Sequence, residues 1–107
     1  MQYLTPSQLS EWLGNSQRAK PQLIDVREPW EYQLCHLDGS VHVPMATIPL
    51  RMGELDPAQE TVVICHHGAR SFQAASYLER NGFGQVYNLE SGIDGWARTV
   101  DPAMAKY

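Results

Sequence analysis

Apolar positions change their period several times along the chain, and the changes mark helices alternating with short strands. In TPSQLSEWLG (5–14), Leu9, Trp12 and Leu13 recur at helical spacing. Thr5 stands where an N-cap belongs, Pro6 at the first helical position and Gly14 at the stop. QLIDV (22–26) reads as a short strand, and EPWEYQLC (28–35) as a short helix with Pro29 near its start. SVHVP (40–44) reads as a strand closed by Pro44. MATIPLRMGEL (45–55) is a helical segment interrupted by Pro49. TVVIC (61–65) is a near-continuous apolar run, which predicts a strand buried on both faces. The clearest helix follows over 69–82, with Phe72, Ala75, Tyr77 and Leu78 expected to face inward and Asn81-Gly82 ending it. QVYNLE (85–90) predicts another strand, 91–100 a last short helix, and 101–107 a tail.

Strands alternating with helices predict an α/β domain with a parallel sheet covered on both faces. Ligands of such sheets sit outside the carboxyl ends of the strands, and Cys65 stands at one of those ends. The 107 residues suffice for one core and not for two. With 43% apolar and 19% charged residues, the chain has the composition of a folded globule rather than a disordered segment. A net charge of -4 and only two lysines, Lys20 and Lys106, argue against a nucleic-acid partner. No apolar run approaches the roughly 20 residues that span a bilayer, so no membrane partner is expected. The N-terminus lacks the basic and apolar regions of a secretory signal, and the expected location is the cytoplasm. Two cysteines, Cys35 and Cys65, are too few for a disulfide framework. In a reducing compartment such a thiol stays reactive.

The chemistry concentrates in Cys65-His66-His67-Gly68-Ala69-Arg70, between the buried strand and the long helix. A sulfur at a helix N-terminus meets unpaired N–H groups and the positive end of the dipole. Gly68 permits the dihedrals of an amide cradle, and Arg70 adds a fixed positive charge. Each feature favours the thiolate over the thiol. A cysteine ending a strand is often only a small hydrophobe, but the Gly and Arg at loop spacing favour a nucleophile. Cys65, His66 and His67 are adjacent and cannot easily turn to one ion, and no further ligand pair exists, so no metal is expected. The absence of Cys-x-x-Cys argues against thioredoxin-like redox chemistry. Cysteine phosphatases use Cys-x5-Arg; here Cys65-x4-Arg70 is one residue shorter and suits a single sulfur atom better than a phosphate.

Four segments together carry a resemblance. LIDVREPWEY (23–32) holds an Asp-x-Arg strand exit, and YQLCHLDGSVHVP (32–44) an aromatic-x3-His-x2-Gly-x4-Pro run. VVICHHGARS (62–71) holds a six-residue loop, and NLESGIDGWA (88–97) a Gly-x-x-Gly-Trp closure. In this order they make the chain, from about Tyr3 to Arg98, resemble a single-domain rhodanese, a thiosulfate sulfurtransferase. The resemblance implies one rhodanese-like domain over 1–107, with a core of about 3–98 and a tail of 99–107. Its sheet would be central, parallel and five-stranded, with helices on both faces.

The resemblance also implies ping-pong sulfur transfer. Cys65 would take the outer sulfur of thiosulfate, or of another small sulfane-sulfur donor, and hold it as a persulfide. Cyanide, or a cellular thiol such as glutathione or reduced thioredoxin, would accept it. The binding set would be His66, His67, Gly68, Ala69, Arg70 and Ser71, with backbone amides stabilising the charged terminal sulfur. Arg70 would orient the donor, and Ser71 would either hydrogen-bond Cys65 or cap the helix. No cofactor is implied. Asp25, Arg27 and Glu31 are expected to form an ion-pair network beneath the loop. The His66 and His67 side chains stay open between adding charge, shaping the entrance and facing solvent. Cys35, where the family often has glycine, is expected as a buried filler, with a resolving cysteine as the alternative. His36 and Gly39 are expected to lock the fold, Gly95 to allow close packing under Trp96, and His42 has no assigned consequence. The rival readings are a persulfide carrier that turns thiosulfate over poorly, and an arsenate reductase or phosphatase-like enzyme, which the loop length disfavours.

Overall fold

Thr61–Ile64 is buried along its whole length, and the domain is built around it. In the computed structural model, which describes residues 1–107, five strands form one sheet: β1 (Gln2–Leu4), β2 (Gln22–Asp25), β3 (Val41–His42), β4 (Thr61–Ile64) and β5 (Val86–Leu89). The order is β1-β5-β4-β2-β3 and every pairing is parallel. Val63 lies opposite Ile24 on one side and Asn88 on the other, which makes β4 the central strand.

Alternation along β4 feeds two cores. Val63 and the following Cys65 join Ile24, Ala74, Ala75 and Leu78. Val62 and Ile64 join Leu9, Trp12, Leu89, Ile93 and Trp96. The first core is covered by α3 (Ile48–Arg51) and α4 (Ala69–Arg80), the second by α1 (Pro6–Gly14) and α5 (Gly92–Thr99). Burial of each such aliphatic side chain is worth roughly 1.5–3 kcal/mol. A short helix, α2 (Pro29–Leu34), follows β2. No helix is long and apolar enough to cross a membrane.

Local chemistry sets the boundaries. Thr5 Oγ1 accepts from the Gln8 N–H at 3.1 Å and Gln8 Oε1 accepts from the Thr5 N–H at 2.9 Å, a reciprocal cap on α1. Pro49 opens α3 between two 3-10 turns, Met45–Thr47 and Met52–Glu54, so it starts a helix rather than breaking one.

Three further expectations are corrected, and β1 adds a strand that the sequence pattern does not show. β1 shows no period in the sequence because it is a three-residue, half-exposed edge strand. The strand expected over 40–44 shrinks to Val41–His42. Phe72 points outward at 45% exposure, since the buried stripe of α4 is Ser71, Ala74, Ala75 and Leu78. Those small residues let α4 approach the sheet closely and so set its rotation. Finally, the expected tail returns to the domain, with Val100, Met104 and Tyr107 packed against the second core.

Candidate active site

Cys65 leaves β4 almost wholly buried, at 1% exposure. Its Sγ accepts the Gly68 N–H at 3.0 Å and lies 3.3 Å from Ser71 Oγ. Gly68 has φ +114, a left-handed conformation that glycine adopts without a β-carbon penalty, and it turns the loop into α4 as its N-cap. The N–H groups of His66, His67, Ala69, Arg70 and Ser71 have no backbone partner. They gather at the N-terminus of a 12-residue helix, where the dipole favours negative charge. A buried sulfur that accepts one amide at the start of such a helix suits an anionic sulfur species.

Two neighbouring elements hold the loop. Cys65 O accepts from the Ile93 N–H at 2.8 Å and His66 O from the Asp94 N–H at 3.1 Å, both in the first turn of α5. This contact needs Gly92, whose φ is +55 and whose missing β-carbon would otherwise strike the carbonyls of Cys65 and His66. Gly95, singled out from the sequence, is also tightly packed, against Ser91 and Pro6 rather than the loop. From β5, Asn88 Nδ2 donates to Gly68 O at 3.1 Å, while Asn88 Oδ1 accepts the Ser71 hydroxyl at 2.5 Å. Ser71 therefore gives its one hydrogen to Asn88, not to Cys65, and it does not cap the helix. Asn88 escaped the sequence reading, although a lone amide in a strand buried on both faces is a signal in itself.

Beneath the loop, Glu31 accepts four donors: Glu28 N–H at 3.0 Å, Arg70 Nη1 at 2.6 Å, Arg70 Nη2 at 2.9 Å and the Tyr107 hydroxyl at 2.6 Å. The Arg70 fork and the Tyr107 hydroxyl outweigh burial and hold the Glu31 carboxyl at about 2, well below its ordinary 4.5. Arg27 is fully buried. Its Nε and Nη2 bind Asp25, Nη2 also reaches Cys35 O at 2.6 Å, and Nη1 reaches Glu31 O at 3.2 Å and Tyr107 Oη at 2.9 Å. Asp25 and Arg27 thus form one pair and Glu31 and Arg70 another. The Tyr107 hydroxyl joins them, accepting from Arg27 and donating to Glu31. Burial, reinforced by the bond to Glu31, pushes Tyr107 up to about 12, so it stays a phenol. Nothing in the spacing of the sequence pointed to Tyr107.

The histidines separate. His66 stacks on Tyr107 with ring centres 3.9 Å apart, and its Nε2 is buried without a hydrogen-bond partner. Burial, helped by the neighbouring His67, pushes its pKa below the usual histidine value. The His67 side chain is 66% exposed, with Nε2 3.8 Å from Asp94 Oδ2. His66, His67 and Asp94 bring ligand atoms within 4.8 Å of one another, a grouping hidden in the sequence. Arg98 already donates to Asp94 Oδ2 at 2.9 Å, so a cation there would meet a guanidinium. Cys35 is half-buried, and its carbonyl serves Arg27. His36 and His42 both stack on one ring, Tyr32, at 4.0 and 4.4 Å. His42 Nε2 also lies 2.7 Å from Arg27 O, which gives this residue a place in the frame of the site. Gly39, at φ +79, turns the chain between them.

The family model of the rhodanese-like domain matches residues 5–99. A sulfurtransferase of Allochromatium vinosum is 41% identical over 83 residues, 78% of this chain and 78% of that protein. The probable adenylyltransferase/sulfurtransferase MoeZ of Mycobacterium tuberculosis is 34% identical over 97% of this chain, which spans 26% of MoeZ. Among solved structures, a rhodanese-like domain protein from Staphylococcus aureus superposes with a TM-score of 0.82 at 28% identity, covering 90% of this chain and 91% of that one.

Proposed function

The chain belongs to the rhodanese-like domain family, and on that premise we propose that it is a sulfurtransferase working through a persulfide on Cys65. The Cys65 thiolate attacks the outer sulfur of thiosulfate or of another sulfane donor. The donor's S–S bond breaks, sulfite or the donor thiolate leaves, and the sulfur stays on Cys65 as a persulfide anion. A thiol such as glutathione or reduced thioredoxin, or cyanide in the laboratory, then attacks the terminal sulfur and regenerates Cys65. No metal or cofactor takes part in this scheme, and a reducing compartment such as the cytoplasm keeps the thiol available.

One observation carries the reading. Sγ of Cys65 receives the Gly68 N–H at 3.0 Å at the start of α4, among five further amides without backbone partners. Those amides are suited to the charge that develops on the terminal sulfur. Arg70 stands beside them, its guanidinium held by Glu31. The fold's recurrence as 26% of a longer relative keeps a carrier role, handing the sulfur to a protein partner, as the second reading.

Intact-mass spectrometry after brief exposure to a sulfane donor tests the mechanism. The wild-type protein gains one sulfur atom and Cys65→Ser gains none. Equal labelling of both would overturn it. Thiocyanate formation over many cycles then supports turnover, whereas loading without turnover supports the carrier.

A further inference from the structure

Three guanidinium groups surround the Cys65 loop, and each already faces a carboxylate. Arg27 is bound to Asp25 at 2.7 Å, Arg70 to Glu31 at 2.6 Å and Arg98 to Asp94 at 2.9 Å. Glu31 is the decisive partner, because its carboxylate lies directly on Arg70 and its side chain is only 4% exposed. It stays ionised across the working pH range. His66 adds no firm charge, since burial disfavours its protonation. The loop thus offers an anion amide dipoles, beside guanidinium groups that carboxylates already face.

A second observation concerns the rim. Trp30, 61% exposed, meets Tyr107 edge-on with ring centres 5.5 Å apart, and Tyr107 stacks on His66. A continuous aromatic surface therefore runs from α2 to the reactive loop. Such a surface suits an organic group better than a sulfonate, since its rings carry no positive charge.

We infer that Glu31, by neutralising Arg70, sets the donor class of the site as organic persulfides, R–S–SH, in preference to the thiosulfate dianion. This rests on the proposed persulfide chemistry of Cys65. In the step itself the Cys65 thiolate attacks the terminal sulfur of R–S–SH and the donor's S–S bond breaks. The persulfide proton passes to the departing sulfur, giving R–SH and the Cys65 persulfide anion. The R group lies along Trp30 and Tyr107, the donor brings no charge of its own, and the single negative charge of the Cys65 thiolate ends on its persulfide, matching a site built of amide dipoles. Thiosulfate would bring two charges and leave a sulfonate with no free cation to meet it.

The test compares kcat/KM for thiosulfate and for the persulfide of 2-mercaptoethanol, with one thiol acceptor. The wild-type protein prefers the persulfide, by about a hundredfold for the unopposed charge of thiosulfate near the surface. In Glu31→Gln the thiosulfate-to-persulfide ratio rises about tenfold, and the rise shrinks as salt is added. Adding Arg70→Ala to Glu31→Gln removes the rise. A purely structural Glu31 would lower both rates and leave the ratio and its salt dependence unchanged, which overturns the inference. So does a wild-type protein that uses thiosulfate as well as the persulfide, a result that stands even if the Glu31 variant fails to fold. If neither donor places sulfur on Cys65, it is the underlying sulfurtransferase reading that falls.

Discussion

β2 and β4 are neighbours in register, Asp25 beside Ile64, and both run out at the same edge of the sheet. Each is followed by an arginine, yet the two exits treat their polar groups in opposite ways. At the β2 exit, Arg27 is 0% exposed and every guanidinium N–H has an acceptor, from Asp25, Glu31, Cys35 or Tyr107. At the β4 exit, five successive or near-successive amides lack backbone partners, and the Arg70 side chain is 38% exposed. Buried polar groups that are fully paired hold a fold, and donors left free at a buried nucleophile are available to a ligand. The first exit is a frame, and the second is a receptor mounted on it.

The same substitution at both exits gives the largest test of this contrast. Arg27→Ala leaves the Asp25 carboxylate buried and unpaired, with an expected loss of about 3–5 kcal/mol in urea unfolding. Arg70→Ala leaves Glu31 with the Glu28 amide and the Tyr107 hydroxyl, so about 2 kcal/mol is expected, with a larger effect on sulfur loading. Equal losses of stability would erase the distinction between frame and receptor.

Acid provides the next test, through Glu31. Its folded value of about 2 lies below the ordinary 4.5. The carboxylate therefore contributes stability that is present in full above about pH 4.5 and lost as the pH falls toward 2. The expected loss is on the order of 2 kcal/mol, after allowing for screening at the exposed side of Arg70. Unfolding measured across that window should fall less steeply in Arg70→Ala. An unchanged slope would show that Arg70 does not hold the Glu31 charge.

The frame was harder to read in the sequence than the receptor. The run into Cys65 and the Gly68 and Arg70 that follow are local, so strand exit, turn and helix start stood in consecutive residues. Asp25, Arg27 and Glu31 could be grouped because a short strand exit and one helical turn bring them together. Their partition into two pairs could not, since it depends on where Arg70 arrives from β4. Asn88, Gly92 and Asp94 come from β5 and α5, and only the parallel crossover puts them beside the loop. Phe72 faces outward against its hydrophobicity because close approach selects small side chains: the stripe that meets the sheet is serine and alanine, with Leu78. Tyr107 lay furthest from view, 80 residues from Arg27, in a segment with no period at all.

That residue also offers the smallest and sharpest test. The Tyr107 hydroxyl accepts from Arg27 at 2.9 Å and donates to Glu31 at 2.6 Å, so one oxygen touches both exits. Tyr107→Phe keeps the ring on His66 and removes only the bridge, with an expected cost of about 1.5 kcal/mol. The informative quantity is its coupling, measured by double-mutant cycles in urea unfolding. Combined with Arg27→Ala the cost of Tyr107→Phe should shrink, because the donor to the phenol is gone. Combined with Arg70→Ala it should grow, because the hydroxyl is then the last side-chain donor to Glu31. Opposite signs at the two exits are what a bridge between a saturated frame and an open receptor requires. Additivity in both cycles would mean that the two exits stand independently and that Tyr107 merely packs across them.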